Sequence, residues 1–148
     1  DQPYLAGLKL LARTEQVLAA GEARQQGWDD AVMQDQRGHA VSSSRANLFI
    51  FRNGQFLTPN LDACGIAGTR RQLLLDCVLP SLGYGSLTQD LTLDNVMNAD
   101  AVILTNTLIG VASVGSIEDR MFDRDAAERL LTPLRAALLE CVSERSPS

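Results

Sequence analysis

One lysine opens the chemistry. Twelve of the 13 basic residues are arginines, and Lys9 is the only lysine. A surface bias toward arginine explains the missing lysines. It does not explain why the retained one lies in Leu5-Ala6-Gly7-Leu8-Lys9-Leu10-Leu11, where a solvated lysine is out of place. Burial depresses an ammonium pKa and leaves more free amine. A free amine is a nucleophile that condenses with aldehydes. Two further junctions suit an anion. Cys64-Gly65-Ile66-Ala67-Gly68-Thr69-Arg70-Arg71 is glycine-rich, then polar and basic, at the expected start of a helix. Such a start offers unpaired N–H groups and the positive end of a dipole. Its spacing matches neither a Walker A loop nor GxGxxG after a strand. Thr105-Asn106-Thr107 ends a buried strand, a position where α/β sheets commonly host ligands. Each junction alone also reads as an ordinary turn or strand cap. Amine and junctions together suit an aldehyde cofactor that carries a phosphate, pyridoxal phosphate.

Composition removes other classes. The chain has 148 residues, 45% apolar and 21% charged, which fits one globular domain. No apolar run is long enough for a transmembrane helix, and Asp1-Gln2-Pro3 does not read as a signal peptide. A net charge of -5 argues against charge-driven binding to nucleic acid or membrane. Cys64, Cys77 and Cys141 are an odd set without CxxC, and His39 is the only histidine, so no zinc site is expected. Reduced thiols and a cytoplasmic location fit best. Cys77 and Cys141 fall in apolar helical stretches and read as core.

The elements that must position these groups follow from periodicity. Leu10, Leu11, Thr14, Val17 and Leu18 mark one buried face of a helix over 11–25, stopped by Gly27. Short strands at 31–33 and 39–41 flank a turn at 35–38. The strongest strand, 46–51, turns at Asn53-Gly54 into 55–58. A helix over 69–82 presents Leu73, Leu74, Cys77 and Val78, with Gly83 as its stop. A strand at 87–93, a short helix at 93–99, and strands at 101–105 and 110–114 follow. Asp123 or Asp125 caps a last helix over 126–142, which Pro133 kinks or divides. The serine-rich residues 143–148 read as a tail. Hairpins mixed with helices predict an α/β or α+β fold around a mixed sheet.

The segment Lys9-x-Leu11-x-Arg13-x-Glu15-Gln16-Val17-Leu18 resembles the Schiff-base lysine segment of fold type IV pyridoxal-phosphate enzymes. Within that family it is most similar to the branch of lyases acting on 4-amino-4-deoxychorismate. Ala46-Asn47-Leu48-Phe49, Thr58-Pro59-Asn60-Leu61-Asp62, Gly65-Ile66-Ala67-Gly68-Thr69-Arg70-Arg71-Gln72 and Thr105-Asn106-Thr107-Leu108 resemble the next family blocks, in order and with compatible spacing.

The resemblance implies a barrel-like, mixed-sheet C-terminal domain over 1–142, with the family's N-terminal domain absent; trimming of a longer chain is the expected cause. It implies that Lys9 anchors pyridoxal phosphate and serves as general base and acid. Gly68, Thr69, Arg70, Asn106 and Thr107 would hold the phosphate. The reaction implied is loss of pyruvate from 4-amino-4-deoxychorismate, giving 4-aminobenzoate for folate synthesis. The partners implied are that small molecule and a second copy in a homodimer. There are departures. Ser42 stands where the family has a glutamate facing the pyridine nitrogen, and a hydroxyl is the weaker partner for a protonated ring. Ala12 replaces an asparagine. Two other readings stay open: an aminotransferase of the same fold acting on branched-chain or D-amino acids, and a degenerate member without catalysis.

Overall fold

The computed structural model describes residues 14–62 and 65–145. Lys9, Ala12 and Cys64 lie outside the described residues. The elements are α1 (Thr14–Gln25), β1 (Val32–Gln34), β2 (His39–Ser43), β3 (Asn47–Arg52) and β4 (Gln55–Pro59). Helix α2 (Thr69–Leu73) runs through a π-helical segment (Leu74–Val78) into α3 (Leu79–Ser81). Then come β5 (Ser86–Gln89), β6 (Leu91–Thr92), α4 (Leu93–Met97), β7 (Ala101–Asn106), β8 (Gly110–Ser113), β9 (Ser116–Ile117), β10 (Arg120–Met121) and α5 (Arg124–Arg145).

The main sheet has five strands in the order β5-β4-β3-β7-β8. Only β4 and β5 run parallel, so the sheet is mixed, as the hairpins predict. A second sheet, β1-β2-β6, is antiparallel. The β3–β4 turn is set locally. Asn53 and Gly54 take φ of 52° and 78°, the left-handed pair that a two-residue hairpin requires.

Strand alternation builds two cores. On one face Phe49, Phe56, Ile103 and Val111 meet Leu74, Val78 and Leu79 of the α2–α3 run and Leu131, Leu134 and Leu138 of α5. On the other, Leu48, Ile50 and Val102 meet Ala40, Leu91, Val96 and Phe122. The central strand β3 is therefore apolar on both sides, which is why it gives a continuous hydrophobic signal. Phe51, Phe56 and Tyr84 close one end, with ring centroids 4.9 to 5.9 Å apart.

Several expectations are corrected. Val17 and Leu18 are not buried: each is 67% exposed, and nothing among the described residues covers them. Periodicity shows which residues share a face, not whether anything packs on it. Cys77 and Cys141 are not free thiols but a disulfide, with Cα atoms 6.3 Å apart. They are 64 residues apart in sequence, and only the packing of α5 across the π-helical segment brings them together. The second helix is interrupted by π geometry just ahead of Pro80, which lacks an N–H to give. Pro133 lies inside one continuous α5, and the helix reaches Arg145, so 143–145 are helical. The β9–β10 pair gave no signal. Thr92 caps α4 through a reciprocal box with Asn95. Asp123 caps α5, accepting from the Ala126 N–H at 3.0 Å.

Asp35 holds the β1–β2 turn. Its carboxylate accepts the N–H groups of Arg37 and His39, each at 2.9 Å. Burial pushes Asp35 up, but these bonds, the Arg37 side chain and nearby His39 outweigh it and hold the carboxyl below its ordinary 3.8. A depressed carboxyl contributes stability that is fully present above 3.8 and is lost as pH falls through the lowered folded value. Asp35→Asn is expected to lower the melting temperature at neutral pH and to flatten its fall below pH 3.8. Parallel acid limbs in the two proteins would contradict this.

Candidate active site

A cleft of about 210 Å³ opens where β2, β3, β7 and the start of α2 converge. One wall is the run from Ser42 to Asn47, another is Ile66 to Arg70, and the third is Asn106 and Thr107. Gln16 of α1 completes the rim. Ser42, Gly68, Thr69, Arg70, Asn106 and Thr107, far apart in sequence, thus line one cavity. Lys9 cannot be placed, because it lies outside the described residues. Gln16, Ser43, Ser44, Arg45 and Asn47 line the cleft without having been singled out as site residues.

Asn47 fixes the glycine-rich wall. Its Nδ2 donates to the Ile66 carbonyl at 2.6 Å, and its Oδ1 accepts the Gly68 N–H at 3.1 Å. The side chain is buried, so both bonds are made away from competing water. A Cβ on Gly68 would collide with Asn47 Oδ1, so only glycine fits there. Gly68 leads into the helix with extended backbone (φ -70°, ψ 147°) and no side-chain cap. The first-turn N–H groups of Thr69, Arg70 and Arg71 therefore lie at the cleft end of the helix without a side-chain capping acceptor among the described residues.

Asn106 fixes the opposite wall. Its Oδ1 accepts the N–H groups of Leu108 and Ile109 at 2.9 and 2.8 Å, and its Nδ2 donates to the Arg45 carbonyl at 3.2 Å. Its amide is thus committed to the turn and to the β2–β3 connection. Thr105, fully buried, donates to the Gly110 carbonyl at 2.6 Å. Thr107 and Thr69 are exposed.

Among the described residues the lining carries two arginines and no carboxylate. Arg70 Nε is buried and has no hydrogen-bond partner among the described residues. Arg71 points the other way. It is buried, donating to Thr58 Oγ1 at 3.3 Å and the Pro59 carbonyl at 3.1 Å, and burial lowers its pKa. It ties the start of α2 to the end of β4. Asp30 lies behind the serine run, accepting from the Ser44 hydroxyl and, at 3.1 Å, from the Ser44 N–H. Burial raises the Asp30 carboxyl, but the bonds from Ser44, Ser43 and Ala31 and the charge of Arg45 bring it below its ordinary value. Ser42 itself is half-buried in the lining.

Among the described residues, a helix start without a side-chain cap, an arginine in the lining and a glycine where backbone must come close are features that suit an anion. A phosphate fits that donor set. Residues 1–117 match the family model of amino-transferase class IV. The chain belongs to that family, and its mixed-sheet fold is that of the fold type IV enzymes in it. It is 40% identical over 116 residues to the aminodeoxychorismate lyase of Vibrio harveyi, covering 78% of this chain and 42% of the relative. The crystal structure of 4-amino-4-deoxychorismate lyase from Pseudomonas aeruginosa superposes with a TM-score of 0.82 at 31% identity, over 92% of this chain and 50% of that one. A T.th. branched-chain amino acid aminotransferase, complexed with N-(5'-phosphopyridoxyl)-L-glutamate, superposes with a TM-score of 0.80 at 29% identity, over 91% of this chain and 45% of that one. The chain therefore spans about half the length of these proteins, or less.

Gly68→Ala is expected to force Asn47 off the loop and to cost roughly 1–3 kcal/mol of unfolding free energy, as overpacking does. Urea denaturation measures it. An unchanged midpoint would show that the Asn47 bracket does not constrain the loop.

Proposed function

We propose that this chain is the cofactor-bearing part of a pyridoxal-phosphate lyase that converts 4-amino-4-deoxychorismate to 4-aminobenzoate and pyruvate. The observation that carries the reading is the cleft itself. Among the described residues, it gathers a helix start without a side-chain cap, Arg70 and the Asn106 turn around one cavity, with no carboxylate in the lining. The 40% identity to an aminodeoxychorismate lyase points to the branch.

When bound, pyridoxal phosphate supplies an electron sink for charge that develops on an amine substrate. The chain's own residues would do the rest. The N–H groups of Thr69 and Arg70 and the Arg70 guanidinium hold the phosphate, with Gly68 allowing close approach. Asn106 acts as a positioning residue, since its amide is already committed to the turn, and leaves Thr107 to offer its hydroxyl. Ser42, in the lining, would offer the cofactor a neutral donor or acceptor. Lys9 anchors the cofactor covalently and then carries a proton off and back onto the substrate. The enolpyruvyl group leaves as pyruvate, and aromatisation of the ring drives the elimination.

A second reading is transamination of branched-chain amino acids, favoured by the superposition on the branched-chain aminotransferase. Incubation with each substrate class separates the two. Release of 4-aminobenzoate and pyruvate in equal amounts, abolished in Lys9→Ala, supports the lyase. Amino transfer from leucine to 2-oxoglutarate without 4-aminobenzoate formation would overturn it. The reading also places the protein in the cytoplasm and expects a homodimer, with exposed Val17, Leu18 and Leu108 as apolar surface to cover. A monomer at every concentration in sedimentation would contradict the dimer.

A further inference from the structure

We infer that Cys77 and Cys141 are a reversible thiol–disulfide site that braces both walls of the cleft from behind. This inference does not depend on the reaction proposed above. Cys77 lies in the π-helical segment that continues the helix whose first turn lines the cleft. Cys141 lies on the buried face of α5. α5 packs along β8, the strand that leaves the Asn106 turn. A Cβ on Gly110 would touch Leu138 Cδ2 at 3.7 Å, so α5 also backs the foot of that turn. The bond therefore links the helix behind one wall to the helix behind the other. Neither wall has a second covalent tie among the described residues.

The pair is also accessible in a directed way. Cys141 is 4% exposed, whereas Cys77 is half-buried at the edge of the core, so exchange begins at Cys77. The oxidant is a low-molecular-weight disulfide of the glutathione class. The Cys77 thiolate attacks one of its sulfurs, breaks that S–S bond and expels one thiolate. The Cys141 thiolate then attacks the Cys77 sulfur, forms the protein bond and expels the second thiolate. The two protons lost by the cysteines go to the two departing thiolates. The protein loses two electrons and the small disulfide gains them. Reduction reverses both steps.

The test is made on the full chain, purified without reductant, blocked with N-ethylmaleimide and digested with trypsin. The expected product is peptide 72–120 linked to peptide 136–145. It should disappear with dithiothreitol and return with oxidised glutathione. Hydrogen exchange on the two forms tests the coupling. The amides of Gly68 and Gln72 on one wall and of Leu108 and Ile109 on the other, each hydrogen-bonded in the fold, should exchange roughly three- to tenfold faster after reduction. Cys77→Ser should show the faster rates whichever reagent is present. Complete alkylation of Cys77 and Cys141 in every condition would overturn the site. A linked peptide with equal exchange rates in both forms would overturn the bracing.

Discussion

The cleft depends on two asparagine side chains that hydrogen-bond to backbone far from themselves in sequence. Asn47 reaches 19 and 21 residues along the chain to the Ile66 carbonyl and the Gly68 N–H. Asn106 reaches back 61 residues to the Arg45 carbonyl while closing its own turn. Loops carry unpaired backbone groups, and each asparagine offers a donor and an acceptor that satisfy both kinds at once. The start of α2 is thereby held against the end of β7 without using the helix's own first-turn N–H groups. Those groups stay free for a ligand because something else does the fixing.

Charge follows the same division of labour. Arg71 is spent inside the fold on Thr58 and Pro59. Arg70, one residue earlier, lines the cleft, and its buried Nε has no hydrogen-bond partner among the described residues. A turn of about 100° per residue in a helix is enough to send adjacent arginines to opposite tasks. Asp30, behind the serine run, is occupied by Ser44 and faced by Arg45 at 3.6 Å. Among the described residues the cavity therefore keeps a positive lining inside a chain whose net charge is -5.

Much of the fold was legible because its signals are local. Asn53-Gly54 dictates a hairpin, the apolar run of β3 dictates a central strand, and Gly83 ends a helix with φ of 76°. The glycine-rich junction and the Thr105–Thr107 strand end were visible as candidates, and topology brings them to one cavity. The bracket partners were hidden, since nothing near Asn47 or Asn106 reveals a partner dozens of residues away. The disulfide was hidden for the same reason: two cysteines in apolar stretches look like core until α5 is laid across the π-helical segment. Val17 and Leu18 show the opposite failure, because a periodic apolar face is visible in sequence while its covering is not.

The central claim is that this cleft receives the phosphate of an aldehyde cofactor anchored at Lys9. Borohydride reduction after incubation with pyridoxal 5'-phosphate, followed by tryptic mapping, tests it most directly. The account predicts a pyridoxyl group fixed in peptide 1–13 on Lys9, reduced in yield by excess inorganic phosphate and by Gly68→Ala. Labelling spread over the amino terminus alone, indifferent to phosphate and to Gly68, would contradict it.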